Sequence, residues 1–482
     1  MAFNTYIFIL LFLPLTVLIY FLIGRSGNKT LSKSFLAAAS AFFIGYADSY
    51  SLLFLLISIL VTYLLSRLSL KGGRAGRFFL VLGVVLNILS LGVVKYSAFV
   101  TNNLNRHLGL NITTLKILVP IGISFVCFQQ IMFLVDSYKG EIKNESPLDY
   151  LLYILFFPKL VQGPITDYNM ILGAFDREDY GRPNSAHIAE GLWLFSTGLA
   201  KKVLLADVLS GAVSYGWDHF ESASWLELLL STICFTMQIY FDFSGYSSMA
   251  IGIAEILNIP LKDNFRAPYR SLSIDEFWKS WHISLTDFLR KYIYFPLGGS
   301  RKGRVRTYLN ILIVFLISGL WHGADWTFLL WGLIHGVVQC LYRLIHSKWD
   351  RLNTVFRWCI NMLIINTAWI FFRSESISQG FTILKRSLQF GRPELSGAFL
   401  ACFDISELSL LTARSARLAA LTGQFRAYGL IFYGIVSLLV IFLEKKRGDF
   451  KPTLVKAVFS ALLIFFSVIS LSTVVEFIYG GF

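Results

Sequence analysis

The sequence predicts an all-α integral membrane protein, and three observations carry that prediction. Of the 482 residues, 55% are hydrophobic and only 15% are charged, whereas soluble domains carry roughly a quarter charged residues. The mean hydropathy is +0.63. Eight runs contain no charged side chain, and most of them reach the roughly 20 residues that a helix needs to cross a bilayer. A soluble enzyme, a disordered chain and a fibrous protein are therefore excluded.

The charge-free runs predict the membrane helices in order. They are 1–24, 49–66, 78–94, 117–135, 307–324, 358–372, 427–443 and 457–475. Less continuous apolar runs lie near Leu151, Ile188, Trp225 and Phe328. Together these runs predict roughly ten to twelve membrane helices. Because no internal repeat or long linker divides them, we expect a single integral membrane domain over residues 1–482.

The basic residues lie in short loops between the runs and account for most of the net charge of +14. Arg25, Lys29 and Lys33 follow the first run, and a second basic loop begins at Arg67. Since cytoplasmic loops carry excess Lys and Arg, both loops should face the cytoplasm and the N-terminus should lie outside. The basic segment 444–451 precedes the last run, so we expect the C-terminus outside as well.

The cysteine pattern gives no sign of a metal centre. Five cysteines are scattered along the chain without a C-x-x-C pair, mostly within apolar runs. Such residues are typical of buried thiols rather than of disulfides or metal ligands. The sequence therefore predicts no bound metal and no bound cofactor.

The segment 260–306 is denser in charged and aromatic residues than its surroundings. Ser273 and Glu276 form a capping-box pattern, so we expect a helix that begins at Ile274. Apolar residues recur at three- and four-residue spacing as far as Tyr292, but charged residues interrupt the stripe. This pattern predicts an amphipathic or re-entrant helix rather than a lipid-exposed span.

His282 lies on this predicted helix, one turn after Trp278. A histidine bonded at a helix–helix contact and a functional histidine are about equally consistent with that position. Asp287 completes an H-x-x-x-x-D string similar to one in soluble glycerolipid acyltransferases. On a regular helix the two side chains would point apart, so we interpret the string as a coincidence.

A second histidine stands at the end of an apolar run. His322 is followed by Gly323, which is placed to end the helix, and by Asp325, which is placed to cap a new helix from Trp326. An ionisable side chain at membrane depth is costly, which makes His322 a functional candidate. A structural histidine is the alternative. His335 lies on the next helix, where a packing role is favoured.

Asp242 is the only charged residue between positions 228 and 254. Three roles are open to it: orienting a histidine, pairing with Lys201 or Lys202, or binding a coupling ion. Structural pairing is the commoner outcome for a lone buried carboxylate.

Several motifs resemble those of the membrane-bound O-acyltransferases. They are D-E-F-W-K-S-W-H-I-S-L from Asp275, G-L-W-H-G-A-D-W from Gly319, W-G-L-I-H-G from Trp331, F-P-K-L-V-Q-G-P-I from Phe157 and F-D-F-S-G-Y from Phe241. The chain resembles the bacterial branch that contains the alginate O-acetyltransferase and teichoic-acid D-alanylation membrane subunits. Lys291 departs from the pattern, because this family usually carries an acid after the arginine, so no role is transferred to it.

The resemblance implies a ring of tilted helices around a central tunnel, with His322 buried near its middle and His282 as its partner. It implies transfer of an acyl group from a cytoplasmic thioester, acetyl-coenzyme A or another, to a hydroxyl on or beyond the outer face. It also implies a bacterial inner-membrane location, and a hydrolase-like extracytoplasmic partner that completes transfer to an exported polysaccharide. A polysaccharide synthase or export complex is a further expected partner.

The chemistry of acyl transfer assigns candidate roles to these residues. A base must take the hydroxyl proton, and histidine suits that role near neutral pH, so we predict His322 as the general base. His282 is predicted to position a substrate or to stabilise the oxyanion. Residues beside the histidines, together with carboxylates at membrane depth, are candidates for orienting substrates: Trp278, Trp281, Trp321, Asp325 and Asp242.

One basic run follows the predicted amphipathic helix. It consists of Arg301, Lys302, Arg304 and Arg306. Attraction of donor phosphates and a simple role as a positive-inside loop are equally open.

Three other functions compete with O-acetyl transfer. D-alanyl transfer to teichoic acid belongs to the same family. A secondary transporter or glycolipid flippase would use Asp242 and the histidines as a proton relay, but it predicts inverted repeats that the sequence does not show. A non-catalytic scaffold in an export complex is the third.

Overall fold

The computed structural model describes residues 1–114, 117–142, 145–404, 416–444, 450–471 and 477–478. Every regular element in these ranges is helical. The helices are α1 (Leu13–Gly24), α2 (Lys29–Ala47), α3 (Ser49–Ser69), α4 (Gly73–Leu108), α5 (Ile123–Tyr138), α6 (Pro147–Leu155), α7 (Phe157–Leu160), α8 (Tyr168–Leu172), α9 (Ser185–Ala200), α10 (Asp207–Asp218), α11 (Trp225–Ile256), α12 (Ile274–Ser280), α13 (Ile283–Leu289), α14 (Arg304–His322), α15 (Trp326–Trp349), α16 (Thr354–Arg373), α17 (Ile377–Ser387), α18 (Gly397–Ala401), α19 (Ala416–Leu443) and α20 (Leu454–Ile469).

Ten apolar helices in the described residues account for the hydrophobic composition. Six are long and apolar enough to cross a membrane, namely α3, α4, α11, α14, α15 and α16. Four are shorter: Phe8–Gly24, Ile123–Tyr138, Tyr428–Leu443 and Leu454–Ile469. The prediction of an all-α, multi-pass membrane protein is confirmed. The predicted basic loop 444–451 and the end of the run 457–475 lie partly outside the described residues.

Ion pairs bring the two predicted cytoplasmic loops to one face of the protein. Lys33 Nζ lies 2.6 Å from a carboxylate oxygen of Asp149, and Arg67 Nη1 lies 3.7 Å from one of Glu145. Both acids stand at the start of α6. The basic segments after the runs 1–24 and 49–66 therefore share a face, which agrees with the charge pattern. That this face is cytoplasmic stays a prediction.

Helix α11 forms the centre of the protein, and α9 packs against it with the two backbones in contact. A Cβ atom on Gly198 would lie 2.6 Å from the carbonyl oxygen of Gly245, and one on Gly191 would lie 2.5 Å from that of Gly252. Small residues allow this close approach between membrane helices. The contact fixes α11, which carries Phe243 into the interior.

The predicted amphipathic helix is broken in the middle. Helix α12 begins at Ile274, as the capping pattern predicts, with the Ser273 hydroxyl accepting a hydrogen bond from the backbone of Glu276. It ends at Ser280, and α13 starts after His282. The prediction of one continuous helix was wrong, because bonds from a distant segment hold the chain in a non-helical conformation at His282.

Candidate functional site

The break at His282 is held by Asn264. His282 has a φ of +43°, a left-handed conformation that costs an L residue about 1–2 kcal/mol. The carbonyl oxygen of Asn264 accepts a hydrogen bond from the backbone N of Ile283 at 3.0 Å, and its Oδ1 accepts one from Ser284 Oγ at 2.6 Å. Its Nδ2 donates to Ser247 Oγ at 3.2 Å, which ties the break to α11. These bonds compensate for the strain and fix the backbone of His282.

The His282 side chain is fully buried among aromatic rings. Its centroid lies 4.7 Å from that of Phe243, 6.3 Å from that of Phe125 and 6.0 Å from that of Trp321. Among the described residues, neither ring nitrogen has a hydrogen-bond partner. Buried polar atoms are normally paired, so two open nitrogens on one imidazole indicate a place for a ligand or water.

His322 is the last residue of α14, and three rings surround it. Besides its neighbour Trp321, the rings are those of Trp331, 5.0 Å away, and Phe372, 5.4 Å away. Helix α14 ends where the sequence predicts, but Gly323 is extended, with a φ of −161°. The glycine is required for space, because a Cβ atom there would lie 2.0 Å from the Phe328 ring.

Trp321 links the two motif histidines. Its ring centroid lies 6.0 Å from that of His282 and 4.8 Å from that of His322. Helix α5 fixes this ring: the indole N–H donates to the carbonyl of Ser124 at 3.2 Å, and the ring stacks on Phe128 at 5.2 Å. The structure therefore gathers both histidines around one immobilised indole.

A third histidine belongs to the same aromatic cluster. The His335 ring lies 4.9 Å from Trp331 and 5.0 Å from Trp278. Trp278 Nε1 donates to His335 Nδ1 at 3.4 Å, while His335 Nε2 has no partner among the described residues. The packing role that the sequence favours accounts for Nδ1 but not for Nε2.

The other orienting candidates are placed differently from one another. The ring of Trp281 packs against other aromatic residues, 5.1 Å from the rings of both Trp369 and Phe265. Asp325 caps α15, as predicted, by accepting a hydrogen bond from the backbone of Thr327 at 3.1 Å. Packing accounts for Trp281 and helix capping accounts for Asp325, so neither residue needs a role in orienting a substrate.

Asp242 forms a buried ion pair rather than a contact with a histidine. Its Oδ1 lies 2.8 Å from Lys202 Nζ, and its Oδ2 accepts a hydrogen bond from the backbone of Ile478 at 2.8 Å. Lys202 also pairs with Asp207 at 2.9 Å. Of the three roles open to Asp242, pairing with a lysine is the one that the structure shows.

Replacing Asp242 by alanine should destabilise the protein without removing a catalytic group. Breaking a buried pair leaves a charge poorly compensated, which costs about 3–5 kcal/mol. Because Lys202 keeps Asp207, we expect the lower end of this range, about 3 kcal/mol. The measurement is thermal unfolding in detergent. A variant with an unchanged midpoint and no acyl transfer would instead give Asp242 a chemical role.

Lys291 binds two acids, although the family pattern has an acid at this position. Its Nζ lies 3.0 Å from Asp136 and 2.9 Å from Glu141. The hydrogen bond from Lys291 lowers the pKa of the Glu141 carboxyl. The pair is therefore present above the ordinary pKa of a glutamate and is lost as the pH falls through the lowered value. Lys291 lies in the π-helical segment Arg290–Tyr294, which follows α13 directly, and ties it to the end of α5.

The predicted basic run is exposed. Arg301 and Lys302 lie in the turn before α14, and Arg304 and Arg306 lie in its first turn. None of these side chains lines the polar cavity of about 970 Å³ beneath α12. Two arginines that the sequence analysis missed, Arg266 and Arg270, do line it; they share the segment F-R-A-P-Y-R, which is their only sequence signal.

This polar cavity reaches the backbone that precedes His282. Its walls include Ser280 and Glu276 of α12 and Leu443 and Glu444 at the end of α19. The backbone N of Arg266 donates to the carbonyl of Ser280 at 3.0 Å. The cavity lining therefore comes within two residues of His282 along the chain. Among the described residues no group of three His, Cys, Asp or Glu could hold a metal ion.

The sequence also matches known proteins. The family model of the membrane-bound O-acyltransferases matches residues 11–374. The chain is 35% identical to a peptidoglycan O-acetyltransferase of Helicobacter pylori over 417 residues, covering 80% of this chain and 79% of that protein. It is 33% identical to a probable alginate O-acetylase of Pseudomonas aeruginosa, with 82% and 76% covered. A teichoic acid D-alanyltransferase of Bacillus subtilis is 26% identical, with 57% and 69% covered.

The match extends over three quarters of the chain and includes both histidine motifs, and the structure buries those motifs together inside a helical membrane protein. The chain therefore belongs to the membrane-bound O-acyltransferase family.

Proposed function

We propose that this protein moves an acetyl group from a cytoplasmic thioester, acetyl-coenzyme A in the simplest case, to a hydroxyl on the outer side of a bacterial inner membrane. The observation that carries the proposal is the pairing of His282 and His322 around Trp321 inside the membrane domain. The acceptor is an exported polysaccharide, reached through an extracytoplasmic, hydrolase-like partner. Both termini lie on the outer side.

The proposed chemistry needs no covalent enzyme intermediate. The imidazole of His322 accepts the proton of the acceptor hydroxyl as its oxygen attacks the thioester carbonyl carbon. The carbon–sulfur bond then breaks, and the departing thiolate takes the proton from the imidazolium. His282 has open ring nitrogens among the described residues, which suits a donor to the carbonyl oxygen as negative charge develops there.

Acetyl transfer is favoured over D-alanyl transfer by the relatives. The two O-acetylating relatives are 35% and 33% identical over about four fifths of this chain, whereas the D-alanyl transferase is 26% identical over 57%. The transporter alternative has lost its support. The chain belongs to an acyltransferase family, and Asp242, its proposed relay carboxylate, is held in an ion pair.

The experiment that tests the proposal compares the exported polysaccharide of a strain with and without this protein. Mass spectrometry should find ester-linked acetyl groups only when the protein is present. Loss of D-alanyl esters instead would select the second family function. Unchanged ester content in the deletion strain would contradict both acetyl transfer and D-alanyl transfer.

The cavity beneath α12 suits the phosphorylated part of the donor. Arg266 and Arg270 line it, and charge-assisted hydrogen bonds to a phosphate stabilise binding by about 1.5–3 kcal/mol. The exposed run from Arg301 to Arg306 would act only as a longer-range attraction.

Replacing Arg266 by glutamine should therefore raise the KM for acetyl-coenzyme A by roughly tenfold or more, because one such hydrogen bond is lost, with kcat little changed. The matched control is Arg301→Gln, which removes the same charge from an exposed turn and should change the KM less than about twofold. Equal effects of the two variants would reject the cavity as the donor site and favour simple surface attraction.

A further inference from the structure

The last turn of α14 leaves backbone carbonyls that need partners. Helix ends lack intrahelical bonds for their final C=O groups, and a left-handed glycine often satisfies them. Gly323 is extended instead, with a φ of −161°, and its N–H reaches only the carbonyl of Gly319. The carbonyls of Leu320, Trp321 and His322 must therefore be satisfied from elsewhere, since an unpaired carbonyl in apolar surroundings is costly.

Helix α4 supplies all three partners. Lys95 Nζ donates to the carbonyl of Trp321 at 2.7 Å and to that of His322 at 3.0 Å. The hydroxyl of the next residue, Tyr96, donates to the carbonyl of Leu320. A lysine ammonium at a helix C-terminus is also favoured by the helix dipole. The cap of α14 thus belongs to another helix.

Lys95 is an unusual residue for this place. It follows the charge-free run 78–94 within α4, a candidate membrane span. No Asp or Glu in the part of the chain that the structure describes forms an ion pair with it. A lysine near a membrane surface normally extends its ammonium toward water. This one is turned to the backbone of the residue that ends α14, and an ionisable group so placed is a functional candidate.

We propose that Lys95 is the positioning residue for His322. Its ammonium clamps the two peptide carbonyls of Trp321 and His322, and so fixes the direction of the His322 imidazole relative to the indole that it shares with His282. The inference rests on the proposed function of His322 as general base. A catalytic group displaced by about 1 Å can lose about a hundredfold in rate, so a frayed last turn would slow the reaction without touching the donor cavity.

The test uses the full-length protein in lipid nanodiscs, with acetyl-coenzyme A as the probe. Lys95→Met keeps the length of the side chain and removes its donors. We expect kcat to fall about tenfold to a hundredfold, with the KM for the donor within about twofold of the native value. Lys95→Arg should recover most of the lost kcat, because a guanidinium can donate to both carbonyls at once.

Tyr96→Phe is the matched control. It removes one hydrogen bond from the same helix end but leaves the carbonyls of Trp321 and His322 bonded. We expect its thermal unfolding midpoint to fall about as much as that of Lys95→Met, while its kcat stays within about twofold of native. If kcat fell in proportion to the unfolding midpoint in both variants, Lys95 would act only as a structural cap of α14.

Other outcomes separate this inference from the function beneath it. Native kcat in Lys95→Met, or no recovery in Lys95→Arg, overturns the positioning role. His322→Ala is measured beside them: if it keeps full activity, the proposed function itself fails. If His322→Ala is inactive and Lys95→Met is fully active, only the role of Lys95 is lost.

Discussion

Replacing His322 by alanine is expected to slow acyl transfer by a factor of about 10² to 10⁴, while the protein still folds and inserts. General acid–base catalysis contributes about that much to a rate. The measurement is the initial rate of transfer from radiolabelled acetyl-coenzyme A. The ester content of the exported polysaccharide serves as the cellular readout.

The fold should survive this change for a specific reason. The bonds that hold the end of α14 involve backbone carbonyls of Trp321 and His322, which alanine retains. The surrounding rings of Trp331 and Phe372 also contact each other, with their centroids 5.4 Å apart. Loss of the imidazole should therefore lower stability by a few kcal/mol at most, and folded protein should remain measurable.

His346→Ala is the control for His322→Ala. His346 lies exposed in the last turn of α15, where its ring nitrogen contacts the carbonyl of Arg343 at 3.1 Å. Its removal should leave the rate and the unfolding midpoint unchanged. If His322→Ala retained more than half of the native rate, the role of general base would have to be given to another residue, with His335 Nε2 the next candidate.

The positions of the end of α14 and the start of α15 follow from local sequence rules. An apolar run, a glycine placed to end it and an aspartate that caps the next helix all lie within a few residues, and the structure confirms where α14 ends and α15 begins. The bonds to the last carbonyls of α14, which come from α4, were not part of that prediction. The apolar character of the membrane helices also follows from composition and run length. The described residues contain six long and four shorter apolar helices, so the number of ten to twelve spans stays a prediction. The helix ends and the apolar character were predictable because each depends on neighbours in the chain.

The break at His282 was not predictable from the same rules. The residues from Ile274 to Tyr292 keep helical spacing. The non-helical conformation is held by hydrogen bonds from Asn264, which stands 18 positions before His282. Lys95 escaped notice for a related reason. Its partners are backbone carbonyls more than two hundred residues away. Every residue has such a carbonyl, so the sequence does not indicate which ones bind a distant lysine.

Removal of the His282 side chain should abolish most of the activity, and two variants separate its chemistry from its conformation. Both His282→Ala and His282→Gly delete the imidazole and leave a similar cavity among Phe243, Phe125 and Trp321. We expect each to lose about 10²- to 10³-fold in kcat, as for loss of one donor to a developing oxyanion. Initial rates with acetyl-coenzyme A measure this loss.

The two variants should also differ in stability, with glycine more stable than alanine, which is the reverse of the order in an ordinary helix. At a φ of +43° an alanine retains the left-handed strain of about 1–2 kcal/mol, whereas glycine avoids it but loses about 0.5–1 kcal/mol through its extra chain entropy. His282→Gly should therefore be the more stable variant, by up to about 1.5 kcal/mol. Thermal or denaturant unfolding of the two purified proteins in detergent measures the difference.

Ala98→Gly calibrates that comparison. Ala98 is exposed within α4, and in an ordinary helix glycine is less stable than alanine by about 1 kcal/mol. The alanine-to-glycine change should thus stabilise at position 282 and destabilise at position 98. If glycine lowered the unfolding stability relative to alanine at both positions, the protein would not have the left-handed break at position 282. If His282→Gly were as active as the native protein, His282 would serve only to turn the chain. The expected result is that the alanine and glycine variants are equally inactive while the glycine variant is the more stable. The activity would then depend on the imidazole, and the stability difference would depend on the left-handed backbone at position 282.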